Sequence, residues 1–526
     1  MRHFNVTGLC VPEKHYMADI SGKLAQIRAM VDQGHYFTIN RARQYGKTTT
    51  LNMLEKTLAH EYIVAQISFE GLGDESFETP AAFCDTFMGR VQRAIQSGAA
   101  AEDPAYAADW VNPLVIDFKA LGEHITSMCR GKKIVLMIDE VDKTSNNRVY
   151  IHFLGMLRDK YLARDRGKDF TFQSVILAGV YDIKNLKLKL INEGVYTPTA
   201  AEGVVRNSPW NIAANFKVDM SFNPAEIAAM LIEYENDHHS GMDIPAISSL
   251  IYDYTDGYPY LVSDICKLID EEFGKDWTAE GIQKAIRYIV NEEQNTLFDD
   301  IIKNLESYKD LSGFIYAMLF LSTEKPYSIR DPAVEWALMF GFVKQQGGKI
   351  RIGNKIFELV IADYFMSKDA HHDDQKRITG VLAEDVIAGG RFNMELALRK
   401  FAEHYRQLYN KKDAPFLERQ GMLLFLSYLK PLINGRGFYH IESQLADSRR
   451  MDLVVNFGRD EFIVELKIWH GGVSHKAAQG QLAGYLKSRG AGSGYLVSFD
   501  FRQEGNQSPC EEWVDCQGLR IFSVIL

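Results

Sequence analysis

N-R-A-R-Q-Y-G-K-T-T-T-L, Asn40 to Leu51, is the stretch on which the fold turns. It ends like a phosphate-binding loop, G-x-x-x-x-G-K-S/T, yet Arg41 stands where the first glycine would be. In such a loop Lys47 would reach the β- and γ-phosphates and Thr48 would hold Mg²⁺. Backbone N–H groups up to Gly46, with the N-terminus of the following helix, would cradle the anion; Tyr45 and Thr49 belong to the same nucleotide-binding stretch, and Arg43 is either a further cation for the phosphates or a surface arginine. The first glycine only eases entry into the turn, so Arg41 is tolerated if its φ is negative.

A second motif supports the first. K-I-V-L-M-I-D-E, Lys133 to Glu140, is an apolar strand ending in two carboxylates. This is how a Walker B strand presents a Mg²⁺-directing Asp139 and a water-activating Glu140. Asp-Glu after a strand also serves to cap a helix. Both motifs in the right order, inside an alternating α/β pattern, favour a nucleotide site over coincidence.

That pattern runs outward from the loop. V-A-Q-I-S-F and F-Q-S-V-I-L-A-G-V join K-I-V-L-M-I-D-E as short Val/Ile-rich runs separated by helix-length segments, which predicts a parallel sheet with crossovers over residues 1–220. Helical spacing follows over 221–300, opened by Asn223 as N-cap and Pro224 at the first helical position, and reads as a helical lid. Residues 301–365 contain helices and a hairpin, F-V-K-Q-Q-G-G-K-I-R-I, and read as a winged helix. The polar run M-S-K-D-A-H-H-D-D-Q-K-R, Met366 to Arg377, predicts the main boundary, within a linker and helical connector over 366–393. A second α/β domain is expected over 394–526, beginning with a helix whose apolar face carries Met394, Ala397, Leu398, Phe401, Tyr405 and Leu408.

Composition excludes more than it proves. With 46% hydrophobic and 24% charged residues the chain is ordinary globular protein, and no apolar run approaches the roughly 20 residues of a bilayer span. The N-terminus carries no export or transit pattern, and six scattered cysteines suggest reduced thiols, so a cytoplasmic protein with no membrane partner is expected. A formal charge of −10 argues against a globally basic nucleic-acid wrapper while leaving room for local basic patches.

The loop with Arg at its first position resembles the R-P-R-R-F/Y-G-K-S/T loop of the AAA-ATPase-like domains related to the STAND-type ATPases. Ala42 and Gln44 replace the usual Pro and Arg. F-T-I-N, I-D-E-V-D, I-L-A-G-V-Y-D (176–182), S-P-W-N-I (208–212) and T-D-G-Y-P-Y-L-V (255–262) resemble further blocks of that family, over roughly residues 1–365. The resemblance implies ATP and Mg²⁺ as ligands, and it brings Asp142, Tyr181 and Asp182 towards the γ-phosphate end. Arg158, Arg164 and Arg166 are candidates for an arginine finger.

The last third carries its own constellation, R-R-M-D-L-V-V-N-F-G-R-D-E-F-I-V-E-L-K, Arg449 to Lys467. Alternation along a strand sends Glu465 and Lys467 to one face. With Asp452 on the preceding strand they build a hard-oxygen pocket for Mg²⁺, or Mn²⁺, beside an ammonium. That is chemistry suited to phosphodiester hydrolysis: the metal activates a water and Lys467 positions it or stabilises the developing charge. A solvated Glu–Lys pair is the bland alternative, against which the apolar flanks F-I-V and I-W argue.

Asp452, Glu465 and Lys467, followed by Gln481 and Tyr485, resemble the PD-(D/E)xK nuclease core over residues 394–526, with Met451 in place of the proline. The resemblance makes Glu418 the additional acidic residue, Glu442 its alternative, and Arg449 and Arg450 phosphate contacts. The whole reads as an α/β multidomain protein: a P-loop ATPase with lid and winged helix, fused to a metal-dependent nuclease, acting on nucleic acid, DNA in preference to RNA, as a homo-oligomer; the resemblance implies a setting in prokaryotic defence. The rivals are a regulatory NTP switch that binds nucleic acid or protein without cutting, and a sensor whose winged helix binds DNA.

Overall fold

The computed structural model describes residues 2–98, 104–141, 148–180, 210–320, 328, 331–346, 349–372, 386–408, 425–426, 428–430, 432–433, 437–442, 451–469, 472–500 and 511–526. The chain divides into two compact units, Met1–Tyr252 with Gly257–Lys267, and Asp253–Asp256 with Leu268–Leu526.

The first unit alternates helix and strand: α1 (Ser21–Asp32), β1 (Phe37–Asn40), α2 (Lys47–Leu58), β2 (Ile63–Ser68), α3 (Pro80–Ser97), α4 (Pro104–Ala108), α5 (Phe118–Cys129), β3 (Ile134–Asp139), α6 (Arg148–Asp165) and β4 (Ser174–Gly179). The strands form a parallel sheet in the order β1-β4-β3-β2, as the apolar runs predicted. Ala214 adds a parallel bridge to Phe37. Every residue of β3 and β4 is buried, the signature of a sheet covered on both faces. Ile134, Leu136 and Ile138 enter a core with Phe83, Phe87, Leu121 and Phe153, while Val135 and Met137, also buried, alternate to the opposite face. Thr79 and Asp117 cap α3 and α5 by accepting from Ala82 N–H and Ala120 N–H.

The helical region holds α7 (Pro224–His238), α8 (Ile244–Thr255), α9 (Pro259–Glu271) and α10 (Ala279–Asn291). Asn223 and Glu226 form a reciprocal capping box with Pro224 at the first position, as the sequence suggested. Between α8 and α9 the chain turns through two left-handed residues, Asp256 (φ 47) and Gly257 (φ 69). A Cβ on Gly257 would stand 1.8 Å from the Phe222 carbonyl oxygen, so only glycine fits.

The second unit continues with α11 (Thr296–Ser307), α12 (Lys309–Phe320), α13 (Pro332–Met339), the antiparallel hairpin β5 (Val343–Gln346) and β6 (Lys349–Ile352), and α14 (Lys355–His372). The hairpin is as expected. α14 continues through Met366 to His372, the start of the stretch read as linker and helical connector, and the remainder up to 385 lies outside the described residues. The two compact units do not part at 366–377. Asp363 of α14 pairs with Lys430, and Tyr254 meets Phe438 with ring centroids 6.0 Å apart, so residues on either side of that polar run are packed together.

A short hairpin, β7 (Ile387–Ala388) and β8 (Arg391–Phe392), leads to α15 (Met394–Leu408), where Met394, Ala397, Leu398, Phe401 and Tyr405 are buried as the periodicity predicted. The remaining elements are β9 (Gly437–Glu442), β10 (Met451–Phe457), β11 (Asp460–Ile468), α16 (Gly472–Arg489), β12 (Ser493–Phe499), β13 (Glu511–Cys516) and β14 (Leu519–Ile525). They make a mixed six-stranded sheet in the order β13-β14-β12-β11-β10-β9. β11 and β12 are parallel, which requires a crossover, and α16 supplies it. Its Ala478, Leu482, Ala483 and Leu486 pack on Val454, Ile463, Leu496 and Ile521.

Candidate functional site

β1 ends at Asn40, and the ladder to β4 extends one residue further through Arg41 N–H to Gly179 O at 3.1 Å. Arg41 is therefore still extended, which is why no glycine is needed there. The left-handed positions of the loop are Gln44 (φ 55) and Gly46 (φ 73). Gln44 stores strain on the order of 1 kcal/mol, whereas Gly46 takes the conformation at little cost. Lys47, the first residue of α2, is buried, and its Nζ donates to the carbonyls of Arg41 (3.0 Å) and Ala42 (2.9 Å). Its ammonium thus lies inside the loop. Thr48 Oγ1 donates to Asp139 Oδ2 at 2.7 Å, across the 91 residues that separate the two motifs. Asp139 sits at the C-terminal end of β3, with β4 between it and β1. Loop and carboxylate thus share the carboxyl edge of the parallel sheet, where open α/β sheets bind ligands. Glu140 follows with φ 55 and its N–H on Asp139 Oδ1. Thr49 Oγ1 accepts from Cys10 N–H at 3.2 Å.

The loop is held from behind by residues that the motif did not reveal. Arg41 donates to Val218 O (2.8 Å) and lies over the Phe216 ring; burial pushes its guanidinium pKa down. Tyr45 OH meets Ser221 Oγ at 2.6 Å and its ring stands edge-on to Tyr258, whose hydroxyl donates to Arg43 O. Arg43 itself is exposed.

In the second unit Glu465 on β11 is 1% exposed and forms an ion pair with Lys467 Nζ at 3.1 Å. Lys467 Nζ also donates to Gln481 Oε1 on α16 at 3.2 Å. Glu465, Lys467 and Gln481 therefore lie together, with Leu466 buried between Glu465 and Lys467 in sequence. The register sets Asp452 opposite Glu465 and, on its other side, opposite Glu442, so three acidic positions line up across β9, β10 and β11. Residues directly opposite in an antiparallel pair share a face. Among the described side chains, no group of three His, Cys, Asp or Glu is arranged to hold a metal; the side chains of Asp452 and Glu442 are outside that description. Glu418, Arg449 and Arg450 also lie outside the described residues, as do Asp142, Tyr181 and Asp182. Sequence reasoning missed His475, because one histidine in a helix gives no signal. Its Nε2 meets Ser523 Oγ at 2.8 Å, its Nδ1 meets Ser498 Oγ at 3.2 Å, and its ring lies 4.7 Å from Trp469. Burial first, then the Lys467 charge, lowers its pKa, with Glu512 opposing.

An AAA-like domain family matches residues 11–358, more than half of the chain. The chain belongs to the AAA-like domain family. ATP binding with Mg²⁺ is typical of AAA-like P-loop ATPases. Among solved structures, the chain is similar to the Walker-type ATPase of Pyrococcus abyssi (12% identity, 68% of this chain and 99% of that one, TM-score 0.45). It is also similar to the Aeropyrum pernix ORC2 protein in ADPNP–ADP complexes (13%, 66% and 93%, TM-score 0.32) and to the Aeropyrum pernix ORC1 protein in complex with DNA (12%, 67% and 94%, TM-score 0.28). These likenesses are too distant to transfer an activity. No curated protein matches the chain.

The AAA-like site fits Mg²⁺ and ATP on its own chemistry. Thr48 and Asp139 present two hard oxygens to each other, the donor type Mg²⁺ selects. No side chain caps the N-terminus of α2, so its first-turn N–H groups suit a phosphate. A Cβ at Gly46 would meet nothing within 4 Å, which leaves room for close approach. The arginine candidates fare differently. Arg164 donates to Gly34 O, Phe172 O and Gln173 O and lies over Tyr36 and Tyr161. Those carbonyls precede β1 and β4, at the edge opposite the loop, so Arg164 braces the sheet and is no finger for its own site. Arg166 is exposed two residues further on, and Arg158 is half-buried within α6. Among the described residues no helix is long and apolar enough to cross a membrane.

Proposed function

We propose that this AAA-like protein binds and hydrolyses ATP at the Asn40–Leu51 loop and cleaves nucleic acid, DNA in preference to RNA, with its C-terminal domain, the first activity regulating the second. For the ATPase the carrying observation is the Thr48–Asp139 hydrogen bond, which joins the two motifs at one sheet edge. When bound, Mg²⁺ neutralises charge developing on the phosphates. Around it Lys47 supplies a cation from within the loop, Thr48 and Asp139 orient the metal, and Glu140 is the base for water.

For the nuclease the support is the buried Glu465 with Lys467 and Gln481, and the register of Asp452 opposite Glu465. A carboxylate 1% exposed is costly unless paired, and here its partner is the side chain that phosphodiester chemistry would use. Asp452 and Glu465 would hold Mg²⁺ or Mn²⁺, which lowers the pKa of a bound water when present. Lys467, steered by Gln481, would position that water. Nucleic-acid contact is assigned to this domain: α13 carries Glu335 as its single charged residue, and among the described hairpin side chains Lys344 and Arg351 both pair with Asp256. A homo-oligomer would bring an arginine in trans to each ATP site.

The test is cleavage of plasmid, linear duplex, single-stranded DNA and RNA by the purified chain with Mg²⁺ or Mn²⁺, with and without ATP. DNA cleavage that stops with EDTA is expected. Binding without cleavage under every condition would replace the nuclease by a regulatory switch.

A further inference from the structure

His475 lies half-buried in the first turn of α16 and meets the C-terminal sheet at three points. Its Nε2 reaches Ser523 Oγ of β14 at 2.8 Å, its Nδ1 reaches Ser498 Oγ of β12 at 3.2 Å, and its ring centroid is 4.7 Å from that of Trp469, which follows β11. Ser498 and Ser523 are 1% and 2% exposed, so their hydroxyls are shut off from water. A neutral imidazole suits two such hydroxyls, because it donates through one nitrogen and accepts through the other. An imidazolium donates through both, and each buried hydroxyl must then find another acceptor for its own hydrogen. The register brings this cluster to the Glu465 site. Ser498 pairs with Lys467 across the parallel ladder of β11 and β12, so the two side chains stand next to each other on one face. Ser523 pairs with Leu496, and Leu496 with Glu465. Gln481, which accepts from Lys467 Nζ at 3.2 Å, lies further along the same helix as His475.

We propose that His475 is a positioning residue for the C-terminal site: its neutral ring pins the start of α16 to β12 and β14 and so fixes Gln481, and through Gln481 the Lys467 ammonium, for cleavage. The inference rests on the nuclease reading of Glu465, Lys467 and Gln481 and adds the proton that switches that site off. Protonation acts twice. It places a second cation beside Lys467, which is held by Glu465 and Gln481, and it turns the accepting ring nitrogen into a donor, so that one serine contact has to be remade and the helix start loosens. The charged groups that act on the ring are Lys467 of β11 and Glu512 of β13, while β12 and β14 face it with the Ser498 and Ser523 hydroxyls. Burial and then the Lys467 charge lower its pKa, with Glu512 opposing, so the ring is neutral throughout the ordinary imidazole range and becomes cationic only below it. Cleavage is therefore supported at neutral pH and above, and is lost as the pH falls below that range.

The experiment is plasmid cleavage by the full chain from about pH 8 down to about pH 5, at saturating Mg²⁺ so that loss of metal does not imitate the switch, with thermal melts at both ends of the range. In wild type the rate should fall about tenfold or more on acidification. His475→Gln keeps a donor and an acceptor but has nothing to titrate; it should be slower by about threefold at the alkaline end and change by less than about twofold across the range. Glu512→Gln alters an exposed residue of β13 and removes the charge that favours the imidazolium. It should retain about twofold more of its rate than wild type at the acid end, and it decides the matter if His475→Gln does not fold. An acid limb that survives in His475→Gln, whatever the absolute rate, reduces His475 to a packing residue and overturns the proposal. So does a wild-type rate that does not fall on acidification, or a Glu512→Gln profile that coincides with wild type or moves to higher pH. No cleavage by wild type at any pH overturns the nuclease reading, and the positioning role with it.

Discussion

Lys47→Ala should lower ATP affinity by about 100-fold, the equivalent of roughly 2.7 kcal/mol. A charge-assisted hydrogen bond to phosphate is worth about 1.5–3 kcal/mol, and the Lys47 ammonium is the cation enclosed by the loop. Calorimetric titration of ATP with Mg²⁺ measures the loss, and circular dichroism verifies that the unit remains folded. Glu140→Gln should give the opposite pattern: affinity held, and turnover reduced by about 10²–10⁴ through loss of a general base. Normal affinity and turnover in Lys47→Ala would remove the loop from the ATP site.

Glu465→Gln and Lys467→Ala should each reduce Mg²⁺-dependent DNA cleavage by about 10³-fold or more, a barrier increase on the order of 4 kcal/mol. Glu465→Gln conserves shape in a position 1% exposed and removes the charge that would bind metal. Lys467→Ala leaves Glu465 buried without its ion-pair partner at 3.1 Å, so destabilisation has to be separated from lost chemistry. Thermal melts of both variants supply that control. Magnesium affinity separates the two: it should fall in Glu465→Gln and persist in Lys467→Ala. A variant that folds, binds metal normally and cuts at the wild-type rate would reduce this cluster to a structural ion pair.

Much of this was legible because local chemistry forced it. A loop that must turn from strand to helix around an anion uses Gly46 and Lys47, and a strand buried on both faces must be apolar until it delivers Asp139. Asn223 and Pro224 announced α7 for the same kind of reason, since a helix start has few solutions. Alternation along β11 brought Glu465 and Lys467 together correctly. What stayed hidden depended on contacts distant in sequence. Nothing near Arg41 tells that its guanidinium reaches Val218 O, and nothing near Arg164 tells that three backbone carbonyls from two other segments converge on it. The polar run after Phe365 does not by itself tell a helix surface from a linker, since both have the same composition; α14 keeps going to His372. T-D-G-Y-P was readable as a turn from Asp-Gly and Pro, but nothing in it tells that the Asp256 carboxylate pairs with Lys344 and Arg351.

The measurement that bears most directly on the whole is the rate of plasmid cleavage by wild type and by Glu140→Gln, each with Mg²⁺ alone and with Mg²⁺ plus ATP. Glu140→Gln should hold the ATP-bound state, so ATP should shift its cleavage rate by at least about tenfold and more persistently than that of wild type. Equal rates in all four reactions would mean that the two sites work independently and would contradict the regulation proposed for this chain.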